Sequence, residues 1–255
     1  MTSEDGSSIA FERSGDGPPI VLVSGSFSDR VDARPLAAEL ARTHTVINYD
    51  RRGRGVSGDV QPYAVQREIE DLAALIAEVG GPVTVWGHSS GAVLALRAAA
   101  AGVQISRLAL YEPPFLIAGR DAQLWRELSD EIAALIRTGR RSAAVTLFQT
   151  KGIGIPAGEV AQWVGEPFWA DFVATAHTLG YEAAVLAVPA DLPGSVSVPT
   201  LVLTGAASHP ALGEAARRVA EALPDGRLQV LPGVGHEPAA GLLMPVLGAF
   251  LAGRR

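Results

Sequence analysis

The sequence predicts an α/β fold, a mostly parallel and doubly wound sheet with a helical lid inserted in it. Short, continuous apolar runs alternate with helical patterns, and such runs are typical of parallel strands buried on both faces. Residues 115–190 break this alternation with helical stretches and no convincing strand. The length of 255 residues suits one unit of this class. Six strands are expected, at residues 20–23, 45–49, 83–86, 108–111, 200–203 and 228–231.

Helices are predicted between these strands. Apolar residues recur every three or four positions over 65–79, which places them on one helix face, and Gly80 ends that helix. Further helices are expected at 92–101, 215–223 and 242–251. Alternation of this kind folds into a sheet with helices on both faces.

The chain is expected to divide into a core, residues 1–114 and 191–255, and a lid, residues 115–190. The lid is rich in aromatic side chains, which either line a substrate pocket or pack in the lid's own core. If they line the pocket, the substrate is fairly apolar and uncharged. The candidate substrate-binding residues are Phe27, Trp125, Phe148, Trp163, Trp169 and Phe172.

The composition narrows the classes of function. Hydrophobic residues make up 48% and charged residues 19%, as in a globular protein. A net charge of −6 disfavours nucleic acid and anionic lipid as partners. The absence of cysteine excludes disulfides, thiolate metal sites and a cysteine nucleophile. Residues 1–17 do not resemble a signal peptide and no run of apolar residues is long enough to span a membrane, so we expect a cytoplasmic protein, a monomer or homodimer.

The most specific motif is Gly87-His88-Ser89-Ser90-Gly91, a Gly-X-Ser-X-Gly sequence between a predicted strand and a predicted helix. In this context a tight turn exposes the serine hydroxyl at the edge of the sheet, and small residues must lie on either side. The helix that follows favours an anion at its start. A glycine-serine turn without chemistry is the alternative, but the flanking elements favour Ser89 as a nucleophile. We assign His88 no catalytic role.

Further motifs extend this pattern, and together they resemble the α/β-hydrolases over about residues 9–250. The resemblance implies that His236 is the general base and that the backbone N–H groups of Ser26 and Ser90 form the oxyanion hole, with Phe27 as the alternative to Ser26. Ser24 stands where the family usually has histidine. The motifs that carry the resemblance are Val21-Leu22-Val23-Ser24-Gly25-Ser26-Phe27, Asp50-Arg51-Arg52-Gly53-Arg54-Gly55-Val56-Ser57, Tyr111-Glu112-Pro113-Pro114 and Gly233-Val234-Gly235-His236.

The acid of the expected triad departs from the common pattern. Ser208 occupies the usual aspartate position, and a serine cannot carry the charge that stabilises an imidazolium. Glu112 ends an earlier strand at the same sheet edge as the nucleophile, and the zearalenone lactonases resemble this chain in that arrangement. We therefore predict that Glu112 orients His236, the alternative being that Glu112 only holds the lid hinge. Glu237 and Asp191 are weaker candidates.

These residues imply a serine hydrolase that cleaves a carboxylic ester or a lactone of a fairly apolar small molecule. The chemistry needs no cofactor, and no metal-ligand pattern is visible in the sequence. Two alternatives stay open: a lyase, cofactor-free oxygenase or cyclase on the same fold, and an inactive relative that only binds a small ligand. The family turn explains Arg52, Gly53 and Gly55, and anion binding is the alternative for the cluster of Arg51, Arg52 and Arg54.

Overall fold

A computed structural model describes residues 1–117 and 120–253. In this part of the chain seven strands form one sheet in the order β1-β3-β2-β4-β5-β6-β7, with only β1 antiparallel to its neighbour. The predicted mostly parallel sheet is therefore confirmed. The strands are β1 (Phe11–Ser14), β2 (Pro19–Val23), β3 (Thr45–Tyr49), β4 (Val83–His88), β5 (Ile105–Tyr111), β6 (Thr200–Gly205) and β7 (Gly226–Leu231).

Helices cover both faces of the sheet, as predicted. Alternate residues of β2 show this directly, because Val21 and Val23 pack in one apolar cluster while Ile20 and Leu22 pack in another. The first cluster includes residues of α2, α3 and α9, and the second includes residues of α1 and α10. The helices are α1 (Arg30–Leu40), α2 (Val65–Val79), α3 (Ser90–Ala100), α4 (Ala122–Arg137), α5 (Arg141–Leu147), α6 (Ala157–Trp163), α7 (Pro167–Thr175), α8 (Leu179–Leu186), α9 (Pro210–Ala222) and α10 (Ala240–Leu251).

The regular secondary structure described between β5 and β6 is helical, joined by short turns and loops. It holds α4 to α8 and a π-helical turn at Phe148–Ile153, and no strand interrupts them in the residues that the structure describes. Within it α4 packs against α8, and α8 in turn packs against α2 and α3 of the core. These helices form the insertion that the sequence predicts. The exact division of the chain stays a prediction, with a lid at residues 115–190 and a core at residues 1–114 and 191–255.

No described helix could cross a lipid bilayer. The longest, α4, has 16 residues, and α10, which is the most apolar, has 12. A membrane-spanning helix needs about 20 consecutive apolar residues.

Candidate active site

A sharp turn between β4 and α3 presents Ser89. Its backbone has φ 54° and ψ −125°, a conformation that residues other than glycine rarely adopt. A Cβ on Gly91 would lie 2.3 Å from the carbonyl oxygen of Val23, and one on Gly87 would lie 2.5 Å from the Cα of Ala92. Both glycines are therefore required sterically, and the turn can form only with this sequence pattern.

A buried carboxylate holds the histidine of the site. Glu112 directly follows β5 with φ 46°, and its side chain is fully buried. Its Oε2 lies 2.6 Å from His236 Nδ1, while its Oε1 accepts hydrogen bonds from Gly205 N at 2.8 Å and from Thr204 Oγ1 at 2.9 Å. Because a carboxylate only accepts, His236 Nδ1 carries the proton and Nε2 is left to act as a base.

The charge state of Glu112 follows from these contacts. Burial on its own would raise the pKa of Glu112, but the hydrogen bonds from His236 and from the Gly205 backbone outweigh it. The net pKa of Glu112 is therefore below its ordinary value, and the group is an anion at neutral pH. This is the charge that a protonated His236 needs beside it.

Neighbouring groups fix the loop that carries His236. Tyr111 donates its hydroxyl proton to the Gly235 carbonyl at 2.5 Å, and His88 Nε2 donates to the His236 carbonyl at 2.9 Å. Burial lowers the pKa of His88 to about 4, and the nearby His236 adds to the effect. His88 is thus neutral at pH 7 and holds the loop through a hydrogen bond, in line with the absence of a catalytic role.

The other acid candidates are not engaged with His236. Ser208, at the usual aspartate position, is not an acid, and within residues 1–117 and 120–253 no hydrogen bond joins it to His236. Glu237 is exposed at the rim of the cavity, and Asp191 is exposed outside its wall. Of the three carboxylates considered from sequence, Glu112 is the one that the structure brings into hydrogen-bond contact with the imidazole.

The loop of residues 24–27 lies against the nucleophile turn. A Cβ on Gly25 would lie 2.8 Å from the Cβ of Ser89, so the glycine permits this approach. Ser26 Oγ and Ser90 Oγ are 3.4 Å apart, and Phe27 has φ 63°. The two residues expected to supply oxyanion donors therefore lie side by side, although their roles remain proposals.

Arg51 takes part in this arrangement in a way that the sequence does not reveal. Its Nη1 donates to the Ser24 carbonyl at 3.2 Å and to Ser90 Oγ at 3.3 Å, at the place where the family's usual histidine is missing. Arg51, Arg52 and Arg54 are all buried and paired with carboxylates, and none lies in the cavity wall. The alternative interpretation of this cluster as an anion-binding site is therefore wrong.

A cavity of about 960 Å³ opens onto Ser89 and His236. Among the six candidate substrate-binding residues, those in its wall are Phe27, Phe148, Trp163 and Phe172, and Phe168 joins them without having been predicted.

Two of the predicted pocket residues lie elsewhere. Trp125 is buried within the lid, where its ring packs beside that of Phe148, and Trp169 is buried with its Nε1 donating to Ser142 Oγ at 3.0 Å. Neither tryptophan lies in the cavity wall. Their prediction as substrate-binding residues is wrong, because an aromatic residue in an apolar helix stripe has the same pattern whether it faces a pocket or a core.

A family model assigns the chain to a known group of proteins. The model described as alpha/beta hydrolase family matches residues 20–246, which is most of the chain. The chain belongs to the alpha/beta hydrolase family. A crystal structure of an alpha/beta hydrolase from Sphaerobacter thermophilus DSM 20745 is 46% identical, with a TM-score of 0.88 over 98% of this chain and 99% of that one.

Two further relatives of this alpha/beta hydrolase are more distant. The uncharacterized hydrolase YraK from Bacillus subtilis (strain 168) is 36% identical over 95 residues, which covers 36% of this chain and 35% of that relative. The match thus spans about a third of the curated relative. The enol-lactonase from Burkholderia xenovorans LB400 is 21% identical, with a TM-score of 0.69 over 98% of this chain and 95% of that one. At this identity the likeness concerns the fold.

In this alpha/beta hydrolase, one group of described side chains is close enough together to be considered for a metal ion. Ligand atoms of His88, His236 and Glu237 lie within 4.8 Å of one another. Glu112 already engages Nδ1 of His236, and the His236 carbonyl engages Nε2 of His88. A metal would have to take His236 Nε2, the nitrogen that the serine chemistry requires. We therefore assign His236 to the predicted acid–base chemistry, and the absence of a metal stays a prediction.

Proposed function

We propose that this alpha/beta hydrolase is a serine hydrolase that cleaves a carboxylic ester or lactone of a fairly apolar small molecule through an acyl-enzyme on Ser89. The observation that carries the proposal is the 2.6 Å contact between Glu112 and His236, at a cavity whose wall also contains Ser89. The Ser89 turn, the histidine and the acid come from three separate sheet connections. Ser89 and His236 line one cavity and Glu112 contacts His236 from outside its wall, an arrangement that suits nucleophilic catalysis by serine.

The proposed reaction has two halves. Ser89 Oγ attacks the scissile carbonyl carbon while His236 Nε2 takes its proton, and the resulting imidazolium is stabilised by the Glu112 carboxylate. The backbone N–H groups of Ser90 and Ser26 stabilise the oxyanion, each donor contributing about 3–4 kcal/mol to the transition state. His236 then protonates the leaving alcohol, and a water molecule, deprotonated by the same nitrogen, hydrolyses the acyl-enzyme.

The cavity supports an apolar substrate. Aromatic rings make up much of its wall, and they include a stacked pair, Phe27 and Phe172, with ring centroids 4.2 Å apart. Such a wall favours the flat or bulky apolar body of an ester or lactone over a small charged metabolite. The missing aspartate at Ser208 gives some weight to a non-hydrolytic enzyme on the same fold. The contact of Glu112 with His236 supplies an acid in place of that aspartate and so favours hydrolysis.

Hydrolysis assays test the proposal. Wild type is expected to turn over chromogenic esters with aromatic or medium-length acyl groups and aromatic lactones, and Ser89→Ala is expected to lose at least about a thousandfold in kcat. Ser195→Ala, at an exposed serine outside the cavity wall, serves as the matched control and is expected to retain activity. A wild-type rate that survives in Ser89→Ala would be background hydrolysis, and the inactive ligand-binding alternative would replace the proposal.

A further inference from the structure

One buried amide in the cavity wall has no part in the chemistry described above. Gln149 lies in the π-helical turn Phe148–Ile153 of the lid, lines the cavity and is only 7% exposed. A π-helical turn interrupts the regular hydrogen-bond pattern of a helix and is often found at functional sites. Here the turn places the polar side chain of Gln149 beside the aromatic ring of Phe148, on the same cavity.

The backbone of Gln149 is fixed while its side chain is unpaired. Its carbonyl oxygen accepts hydrogen bonds from Gly154 N at 3.1 Å and from Ile155 N at 3.0 Å. No hydrogen bond joins its side-chain amide to another residue in the described ranges 1–117 and 120–253, and the amide is open to the cavity instead of being sealed within the protein. A substrate that fills the cavity is expected to supply its partner, because burying an amide without one is unfavourable.

The scissile carbonyl is not that group. In the proposed mechanism its hydrogen bonds come from the backbone of Ser26 and Ser90 at the sheet edge, whereas Gln149 lies in the helical insertion between β5 and β6. The partner of Gln149 must therefore lie on another part of the substrate. An amide both donates and accepts, so a ketone, an amide or a hydroxyl group satisfies it equally well.

The charges around the cavity narrow the choice of substrate group further. The described wall contains the carboxylates of Asp29, Asp32, Asp171 and Glu237 and no lysine or arginine. A negatively charged substrate group would be repelled and would find no cationic partner there. A neutral polar group avoids this repulsion.

We propose that Gln149 determines specificity by hydrogen bonding to a neutral polar group on the apolar body of the substrate, away from the scissile bond. The inference rests on the proposed hydrolysis at Ser89 and adds the substrate class: an uncharged ester or lactone that carries a ketone, amide or hydroxyl group. A purely hydrocarbon ester leaves the buried amide unpaired and is the poorer substrate.

Matched substrates test this subsite. In a series of p-nitrophenyl esters of linear acids, one methylene becomes a ketone at successive positions, and each keto ester is compared with its parent of equal length. The readout is the ratio of kcat/KM for the keto ester to that for the parent, which cancels general effects on turnover. At the favoured position the wild-type ratio is expected to exceed that of Gln149→Leu by about two- to tenfold, the size of one neutral hydrogen bond.

Controls separate recognition from damage to the lid. Gln162→Leu makes the same substitution at an exposed glutamine of α6 and is expected to keep the wild-type ratio. Gln149→Met replaces the amide with a flexible apolar chain of similar size and is expected to behave as Gln149→Leu does. Thermal unfolding of each variant confirms that it is folded. Equal ratios in wild type and both Gln149 variants at every ketone position would overturn the proposal.

A binding measurement tests the Gln149 subsite independently of any hydrolysis. Uncleavable N-butyl amides of the same keto and parent acids are titrated calorimetrically into Ser89→Ala and into Ser89→Ala with Gln149→Leu. If wild type hydrolyses no ester, the proposed function fails, but tighter binding of a keto amide that disappears with Gln149→Leu supports the subsite. Equal binding of every pair by the two proteins overturns it.

Discussion

At the scale of single residues, the site depends most on Glu112. The carboxylate is fully buried, and both of its oxygens accept hydrogen bonds, one side from His236 and the other from Thr204 and Gly205. A buried anion is tolerated only when it is paired and hydrogen bonded in this way. The three contacts leave the carboxylate one orientation, and that orientation sets the tautomer of the imidazole.

The first prediction concerns this carboxylate. Glu112→Gln keeps the size of the side chain but removes its charge, so His236 loses both its tautomer and the stabilisation of its protonated form. We expect kcat for a chromogenic ester to fall by roughly 10³–10⁴. Asp191→Asn, at the exposed acid considered from sequence, is the matched control and is expected to leave kcat unchanged. An unaltered kcat in Glu112→Gln would remove Glu112 from the triad.

The second prediction concerns His88 and pH. The pKa of this imidazole falls from 6.5 to about 4 on folding because it is buried, so between these values the folded protein binds fewer protons at this site than the unfolded chain does. Titration of His88 therefore leaves the free energy of unfolding unchanged well above pH 6.5 and lowers it as the pH drops towards 4. His88→Gln is expected to lose less stability than wild type between pH 7 and pH 5, as measured by urea unfolding. Equal losses of stability in the two proteins would contradict the lowered pKa of His88.

At the scale of secondary-structure elements, an ion network joins the lid to the core. Glu182 of α8 is fully buried and pairs with Arg51 and Arg54, both from the loop after β3. Arg51 also forms a two-point pair with Glu68 of α2, at 2.7 and 2.9 Å. Burial, together with the Arg51 charge, lowers the pKa of Arg54 to about 9. Since Arg51 also contacts Ser24 and Ser90, one guanidinium links α8 to the loop of residues 24–27 and to the turn around Ser89.

The third prediction tests this link. Glu182→Gln leaves two buried guanidinium groups without their shared carboxylate, and removing one partner of a buried pair is expected to destabilise the protein by about 3–5 kcal/mol. The free energy of unfolding in urea measures the loss. Glu214→Gln disturbs an exposed pair with Arg217 and is expected to change stability little, because such pairs are screened by water. Similar small changes in both variants would show that the network does not hold the lid.

The elements also show where sequence patterns succeed. The central strands are continuous apolar runs, and each of the six predicted strands lies within or overlaps an observed one. The sequence analysis missed β1, a partly exposed edge strand, because its residues Phe11–Ser14 do not form such a run. It also missed α1, which contains Pro35. An edge strand and a proline-containing helix depend on their neighbours more than on their own pattern.

At the scale of the whole molecule, local motifs and long-range contacts contributed differently to the site. The turn around Ser89 could be predicted because its steric demands lie within five residues. The position of Glu112 could be predicted because the ends of parallel strands meet at one sheet edge. The contacts of Arg51 with Ser24 and Glu182 join residues far apart in the chain. No local pattern encodes them.

Labelling with a fluorophosphonate tests the central claim most directly. The reagent phosphonylates a serine whose hydroxyl is activated by a neighbouring base, and intact mass counts the adducts. For an activated Ser89, wild type is expected to gain one adduct and Ser89→Ala none, with Ser195→Ala labelled as wild type is. A wild type that gains no adduct, or a Ser89→Ala protein that labels equally, would contradict the assignment of Ser89 as the nucleophile.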